Sequence, residues 1–212
     1  MSMYRPFRPS RSAAVLAVIL LAVPLSLTAQ ATDPSVSQAG MVVSQQDIAS
    51  QVGAEVLAAG GNAIDAAIAT GFALAVTHPT AGNIGGGGFM VVRFPDGTST
   101  ALDFRETAPA AAHPTMWLDE SGEYSYELHH RSHQAVGVPG TVAGFDMAHR
   151  LYGRIDWTQL VAPSVDLARD GFVLSEALAG SIARFVGRSQ YPATIAAFSK
   201  EGTPYEPGET WR

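Results

Sequence analysis

Three features of the sequence predict a helix-rich α/β fold. Apolar residues recur at helical spacing across residues 48–59 and again across 63–76, two strand-like runs flank the turn Pro95-Asp96-Gly97, and helical periodicity resumes at residue 141. The composition permits a packed core: of 212 residues, 47% are hydrophobic and 15% charged, too much apolar surface and too little charge for a disordered chain. A chain of this length is expected to hold one core at most, either a whole domain or one lobe of something larger.

Residues 1–31 stand apart. Arg5, Arg8 and Arg11 form a positive head, residues 13–27 an apolar stretch, and Ala29 and Ala31 place small side chains where a signal peptidase reads. The competing reading is a membrane anchor, but Pro24 interrupts the run, which falls short of the ~20 apolar residues a spanning helix needs. The expectation is a secretory signal over 1–31, cleaved near Ala31, and a soluble mature chain, 32–212, secreted or periplasmic and not bound to membrane. Cleavage removes three of 13 basic residues and none of 19 acidic ones, so the net charge moves from −6 to −9. That balance argues against nucleic acid, because phosphate binding needs clustered Lys and Arg. It favours a small polar substrate. With no cysteine, disulfides, thiolate metal sites and a cysteine nucleophile are excluded together.

Taken in order, the mature chain begins with a short apolar run, Met41, Val42 and Val43, read as a strand. Ser44 is the expected cap of a helix on which Ile48, Val52, Val56 and Ala59 recur until Gly60 and Gly61 stop it. Asn62 starts a second helix, to about residue 76, with Ile64, Ile68, Phe72 and Ala75 on one face and small residues on the others. A helix apolar nearly all round belongs inside a protein, and small residues let neighbours come close. Pro79 ends it. Residues 89–94 and 99–104 form an antiparallel hairpin, which puts Arg105 and Glu106 where the second strand ends. Residues 108–137 read as loop with one short strand or helix. A helix over 141–152, with Val142, Phe145, Ala148 and Tyr152 inward, is stopped by Gly153. Another follows Pro163 and ends at Gly171. A last one starts at Ser175, with Leu178, Ile182 and Phe185 inward, and residues 202–212 read as loop.

Candidate chemistry is sparse. The glycines at 85–88 resemble a phosphate loop only superficially, since such a loop opens a helix and carries a Lys-Ser/Thr pair, whereas a strand follows here and no lysine is near. They are expected to let the backbone turn sharply and pack closely. His129 and His133 have the four-residue spacing of a zinc-binding helix, but the glutamate that should follow the first is His130, so a solvated polar segment is expected. No Gly-x-Ser-x-Gly elbow occurs. Arg105 remains: a guanidinium is a planar fork that grips a carboxylate with two parallel hydrogen bonds.

Six blocks together resemble the γ-glutamyltransferase family. They are residues 40–44, residues 60–67, the glycine run with Phe89 and Met90, the block Asp103-Phe104-Arg105-Glu106-Thr107-Ala108-Pro109, the block Val138-Pro139-Gly140-Thr141, and residues 167–172, all in the family's order. The resemblance implies the N-terminal part of an αββα-sandwich N-terminal-nucleophile hydrolase, made as a proenzyme that cuts itself into a large and a small subunit. Residues 32–212 would be the N-terminal portion of the large subunit. The small subunit would begin with a catalytic threonine, which attacks the γ-carbonyl of glutathione and related γ-glutamyl compounds. Arg105 matches the arginine that holds the substrate's α-carboxylate in the family, and Glu106, on the opposite strand face, is expected to be structural. No metal or organic cofactor is implied. The self-cleavage motif is not found, Thr77-His78-Pro79 being the nearest string. The expectation is therefore a truncated chain with no catalytic residue, inactive alone and dependent on the missing C-terminal small subunit from the same precursor. Two alternatives stay open: a β-lactam acylase acting on a glutaryl-type group, and a secreted, non-catalytic carboxylate-binding protein.

Overall fold

One helix cannot be left in water, and the fold is built around it. The computed structural model describes residues 36–212, so the signal segment read over 1–31 lies outside the described residues. The chain divides into two compact units, Met1–Gln38 and Ala39–Arg212, and every element below belongs to the second. The central helix, α2 (Ala63–Thr77), follows α1 (Asp47–Ala58). Asn62 caps α2 as predicted: its Oδ1 accepts from Ile64 N at 2.8 Å and Asp65 N at 3.1 Å, while Asp65 Oδ2 accepts from Asn62 N at 2.9 Å. Ile64, Ala66, Ile68, Ala69, Phe72 and Ala73 are all buried, each large one contributing about 1.5–3 kcal/mol. Small residues do bring a neighbour close. Gly53 of α1 lies so near Thr70 and the Ala66 carbonyl that a side chain there has no room.

Two expectations at this end are corrected. Residues 41–43 are not a strand, because a strand exists only against a hydrogen-bonded neighbour and none of the described residues pairs with them; Val42 packs inward while Met41 and Val43 are exposed. Ser44 is not the formal cap of α1, which is Gln46. Its hydroxyl instead donates to Gln46 O at 2.8 Å and meets Ser50 Oγ at 2.9 Å.

The predicted hairpin is present: β1 (Phe89–Arg93) and β2 (Ser99–Asp103) pair antiparallel, Phe89 opposite Asp103 and Arg93 opposite Ser99. Its turn is closed by Phe94 N to Thr98 O at 2.9 Å and by Asp96 Oδ1, which accepts from Thr98 N at 2.9 Å, with Gly97 at φ +86°. Residues 108–137 hold one short helix, α3 (Tyr126–Arg131), capped by Ser125, and a 3₁₀ turn at His133–Ala135.

The helix α4 (Thr141–Tyr152) has the predicted bounds, but its buried residues are Thr141, Gly144 and Ala148, and Val142 is exposed. The face that meets the hairpin is that of Gly144, and Val142 lies about 200° around the helix from it. α5 (Trp157–Asp170) starts six residues before Pro163, which sits inside it. The proline removes one bond to the Gln159 carbonyl. The helix runs through because Trp157 meets Phe72 edge-on at 5.5 Å and Leu160 is fully buried, contacts that outweigh the local defect.

Past Gly171 (φ +82°), β3 (Phe172–Val173) pairs with β4 (Thr210–Trp211), so the tail expected as loop includes a strand pair. Between them lie α6 (Glu176–Arg188), capped by Ser175, and α7 (Pro192–Phe198). On α6, Leu178, Ile182 and Val186 are buried, while Phe185 is about half exposed, because the four-residue steps from Leu178 continue to Val186. Instead of one core there are two abutting clusters, one around α2 and one around α6, with Leu167 packed against both. The result is the helix-rich, strand-poor α/β arrangement expected for part of such a sandwich.

Candidate functional site

The site candidate is built where the hairpin ends. Along β2 and just beyond it, Leu102 is buried and Phe104 packs against the core, whereas Asp103 and Arg105 are exposed. Asp103 Oδ1 accepts from Arg105 N at 3.0 Å, a tight turn that ends the strand and fixes the backbone from which the arginine leaves. Phe104 anchors the other side, with its ring 5.9 Å from Phe145, edge-on.

Three glycines close on this backbone. Gly87 lies against the Arg105–Glu106 peptide, Gly140 against the Phe104 carbonyl, and Gly144 against the Phe104 ring; at each, a Cβ would collide with what it touches. Of the glycine run, Gly86, Gly87 and Gly88 are thus close-approach positions, as read from the sequence, whereas Gly85 has open space around it. Backbone pairing completes the clasp. Phe104 N donates to Gly88 O at 3.0 Å, Thr107 N to Val138 O at 3.2 Å, Val138 N to Thr107 O at 2.8 Å, and Gly140 N to Gly86 O at 2.7 Å. Segments 83–88, 104–107 and 137–144 thus hold one another at the base of a single side chain.

That side chain is Arg105, 66% exposed, and its only charge partner among the described residues is Glu106, at 3.6 Å from Nε to Glu106 Oε1. Strand alternation was expected to send Glu106 to the opposite face. The strand has ended at Asp103, so alternation no longer applies, and Glu106 turns back beside the guanidinium. At this exposure water screens the pair, which steers the fork without occupying it. A rigid base under a reachable fork can take a carboxylate with two parallel bonds.

The strings that the sequence analysis set aside lie elsewhere. Thr77 is fully buried and donates its hydroxyl to Ala73 O at 2.9 Å, so it is not available as a nucleophile. His129 is on α3, but His133 belongs to the 3₁₀ turn beyond it, so the pair does not share a helix face. His129 stacks on Trp117 at 4.7 Å and meets Tyr124 Oη at 2.8 Å through Nδ1, and His130 stacks on Tyr126 at 4.3 Å. Among the described residues no three His, Asp or Glu side chains are placed to hold a metal ion. Sequence reasoning missed Gly144 as part of the clasp and singled out Gly140 only within the family-like block 138–141; that both lie on Phe104 is a proximity in space that no spacing rule exposes.

Comparison with known proteins gives a consistent picture. The family model described as Gamma-glutamyltranspeptidase matches residues 49–212. The chain is 47% identical over 179 residues to the glutathione hydrolase proenzyme of Escherichia coli (strain K12), covering 84% of this chain and 31% of that protein. It is 46% identical over 202 residues to the glutathione hydrolase proenzyme of Pseudomonas sp. (strain A14), covering 93% and 35%. Among solved structures, the gamma-glutamyltranspeptidase of Helicobacter pylori superposes with a TM-score of 0.80 at 41% identity, over 84% of this chain and 52% of that one. The chain thus spans about a third of the length of these curated relatives. No described helix is long and apolar enough to cross a membrane.

Proposed function

This chain belongs to the gamma-glutamyltranspeptidase family, and from that premise we propose that it supplies the carboxylate-holding part of a site for γ-glutamyl transfer and hydrolysis. The substrates are glutathione and related γ-glutamyl compounds. The observation that carries the reading is Arg105: an exposed guanidinium on a backbone locked by Gly87, Gly140 and Gly144. Its bidentate grip on the α-carboxylate would fix the scissile γ-carbonyl in space, converting an encounter into a held geometry.

The nucleophile is a threonine outside these 212 residues, at the start of a small subunit cut from the same precursor. Its hydroxyl adds to the γ-carbonyl and gives its proton to the threonine's own α-amine. The tetrahedral adduct collapses to a γ-glutamyl ester as the proton passes to the departing amine. Water or an amino acid then attacks the ester, regenerating the hydroxyl and yielding glutamate or a new γ-glutamyl amide. Residues 1–31 direct the precursor out of the cytoplasm, to the periplasm or beyond.

Two preparations test this. The 212-residue chain, purified alone, releases no p-nitroaniline from γ-glutamyl-p-nitroanilide, whereas the full-length precursor releases it after processing. Release by the short chain above a no-protein blank would overturn the division of labour. A fork reads a carboxylate whether or not an α-amine stands beside it, so glutaryl-p-nitroanilide is assayed in parallel. Preference for the glutaryl compound would make the protein an acylase, and binding of γ-glutamyl compounds with no turnover by the full-length protein would make it a non-catalytic binder.

A further inference from the structure

Asn83 lies in the loop between α2 and β1, and the clamp as described makes no use of it. Its Oδ1 accepts from Gly86 N at 2.7 Å and from Thr141 Oγ1 at 3.1 Å, while its Nδ2 donates to Ala81 O at 3.1 Å. Gly86 and Thr141 belong to the two walls that clasp residues 104–106. Gly87, next to the first, lies on the Arg105–Glu106 peptide, and Gly140, next to the second, on the Phe104 carbonyl. The walls also meet through Gly86 O, which accepts from Gly140 N at 2.7 Å and Thr141 N at 3.0 Å. Asn83 is thus the one side chain among the described residues whose oxygen binds both walls. Thr141 is only 5% exposed, so its hydroxyl has little water to turn to if that oxygen is lost.

We propose that Asn83 and Thr141 are positioning residues for Arg105, their hydrogen bond holding the two walls at the separation that aims the guanidinium. A two-bond grip on a carboxylate tolerates errors of only about 0.5 Å and 10–20°. A long arginine magnifies any tilt at its base. Letting the walls part therefore loosens the hold on the substrate carboxylate, and with it the placement of the scissile carbonyl, without removing any group that makes or breaks a bond. The inference rests on the carboxylate-clamp reading above.

The test uses the processed full-length enzyme and two anilides: γ-glutamyl-p-nitroanilide, and 4-aminobutyryl-p-nitroanilide, which lacks the α-carboxylate. Asn83→Ala lowers kcat/KM for the first by about tenfold, the scale of one net hydrogen bond. It leaves kcat/KM for the second unchanged. Asn83→Asp, which keeps the accepting oxygen, and Thr141→Ser, which keeps the hydroxyl, stay near the parent; Thr141→Val behaves like Asn83→Ala and carries the test if Asn83→Ala is not processed. Equal losses on both anilides, or a wild-type kcat/KM for the first anilide in both deletion variants, would overturn the proposal. Arg105→Lys is measured alongside: if its kcat/KM is undiminished the clamp reading itself fails, and if only Arg105→Lys discriminates between the anilides the positioning role alone fails.

Discussion

Asp65 is the one wholly buried carboxylate among the described residues, and it faces no cation. Its oxygens instead accept from three backbone N–H groups: Asn62 at 2.9 Å, Arg154 at 3.0 Å and Ile155 at 3.4 Å. It therefore ties the start of α2 to the bend after α4, and Asn62 repeats the tie, Nδ2 donating to Tyr152 O at 2.6 Å. Asp65→Ala strands buried donors at about 1–3 kcal/mol each, so a loss of roughly 3 kcal/mol or more is expected in urea denaturation. Asp65→Asn, which keeps one acceptor, loses less. A loss under about 1 kcal/mol for Asp65→Ala would show that the donors find other partners. The local half of this arrangement was legible, because Asn62 is a strong capping residue. The other half joins residues 89 positions apart, and no periodicity in the sequence carries such a bond. Glu106 failed for a related reason: a rule that holds inside a strand was applied beyond its last residue.

At the scale of elements, periodicity found the helices and turn chemistry found the hairpin, while the errors fall where tertiary contacts override local preference. Pro163 reads as a start and is an interior residue, because Trp157 and Leu160 are buried ahead of it. The tail reads as loop and pairs with Val173, because Trp211 packs on Phe172 at 5.8 Å and on Phe198 at 5.6 Å. This end of the chain is also sensitive to pH. Lys200 Nζ donates to Glu209 Oε1 at 2.6 Å, and Glu206 N to Glu209 Oε2 at 2.7 Å. First the lysine and then the backbone N–H hold the Glu209 carboxyl below its ordinary value. A carboxyl lowered in the folded state binds fewer protons there than when unfolded. Its stabilising contribution is thus complete above the ordinary glutamate range and fades as pH falls through the lower, folded value. Titration followed by carboxyl NMR should place Glu209 below free glutamate, and Lys200→Ala should move it up. An unmoved midpoint in that variant would assign the shift to the backbone bond.

At the scale of the whole unit Ala39–Arg212, apolar side chains are left exposed on the hairpin: Phe89 and Val91 on β1 are 64% and 78% exposed. Arg105 follows the second strand of this hairpin by two residues. The fold class was legible in the sequence, and Arg105 is the position that the family-like block 103–109 singles out. The three-walled clasp beneath it was not legible, because it is made of glycines whose meaning lies in what they touch. Arg105→Lys in the full-length protein is the most direct measurement of the clamp, since lysine keeps the charge and loses the planar fork. With ~1.5–3 kcal/mol lost for a charge-assisted bond, kcat/KM for γ-glutamyl-p-nitroanilide should fall by about 10- to 150-fold, with both processed subunits still present on a gel. A correctly processed Arg105→Lys enzyme with undiminished kcat/KM would contradict the clamp and leave Arg105 an ordinary charge at the end of a strand.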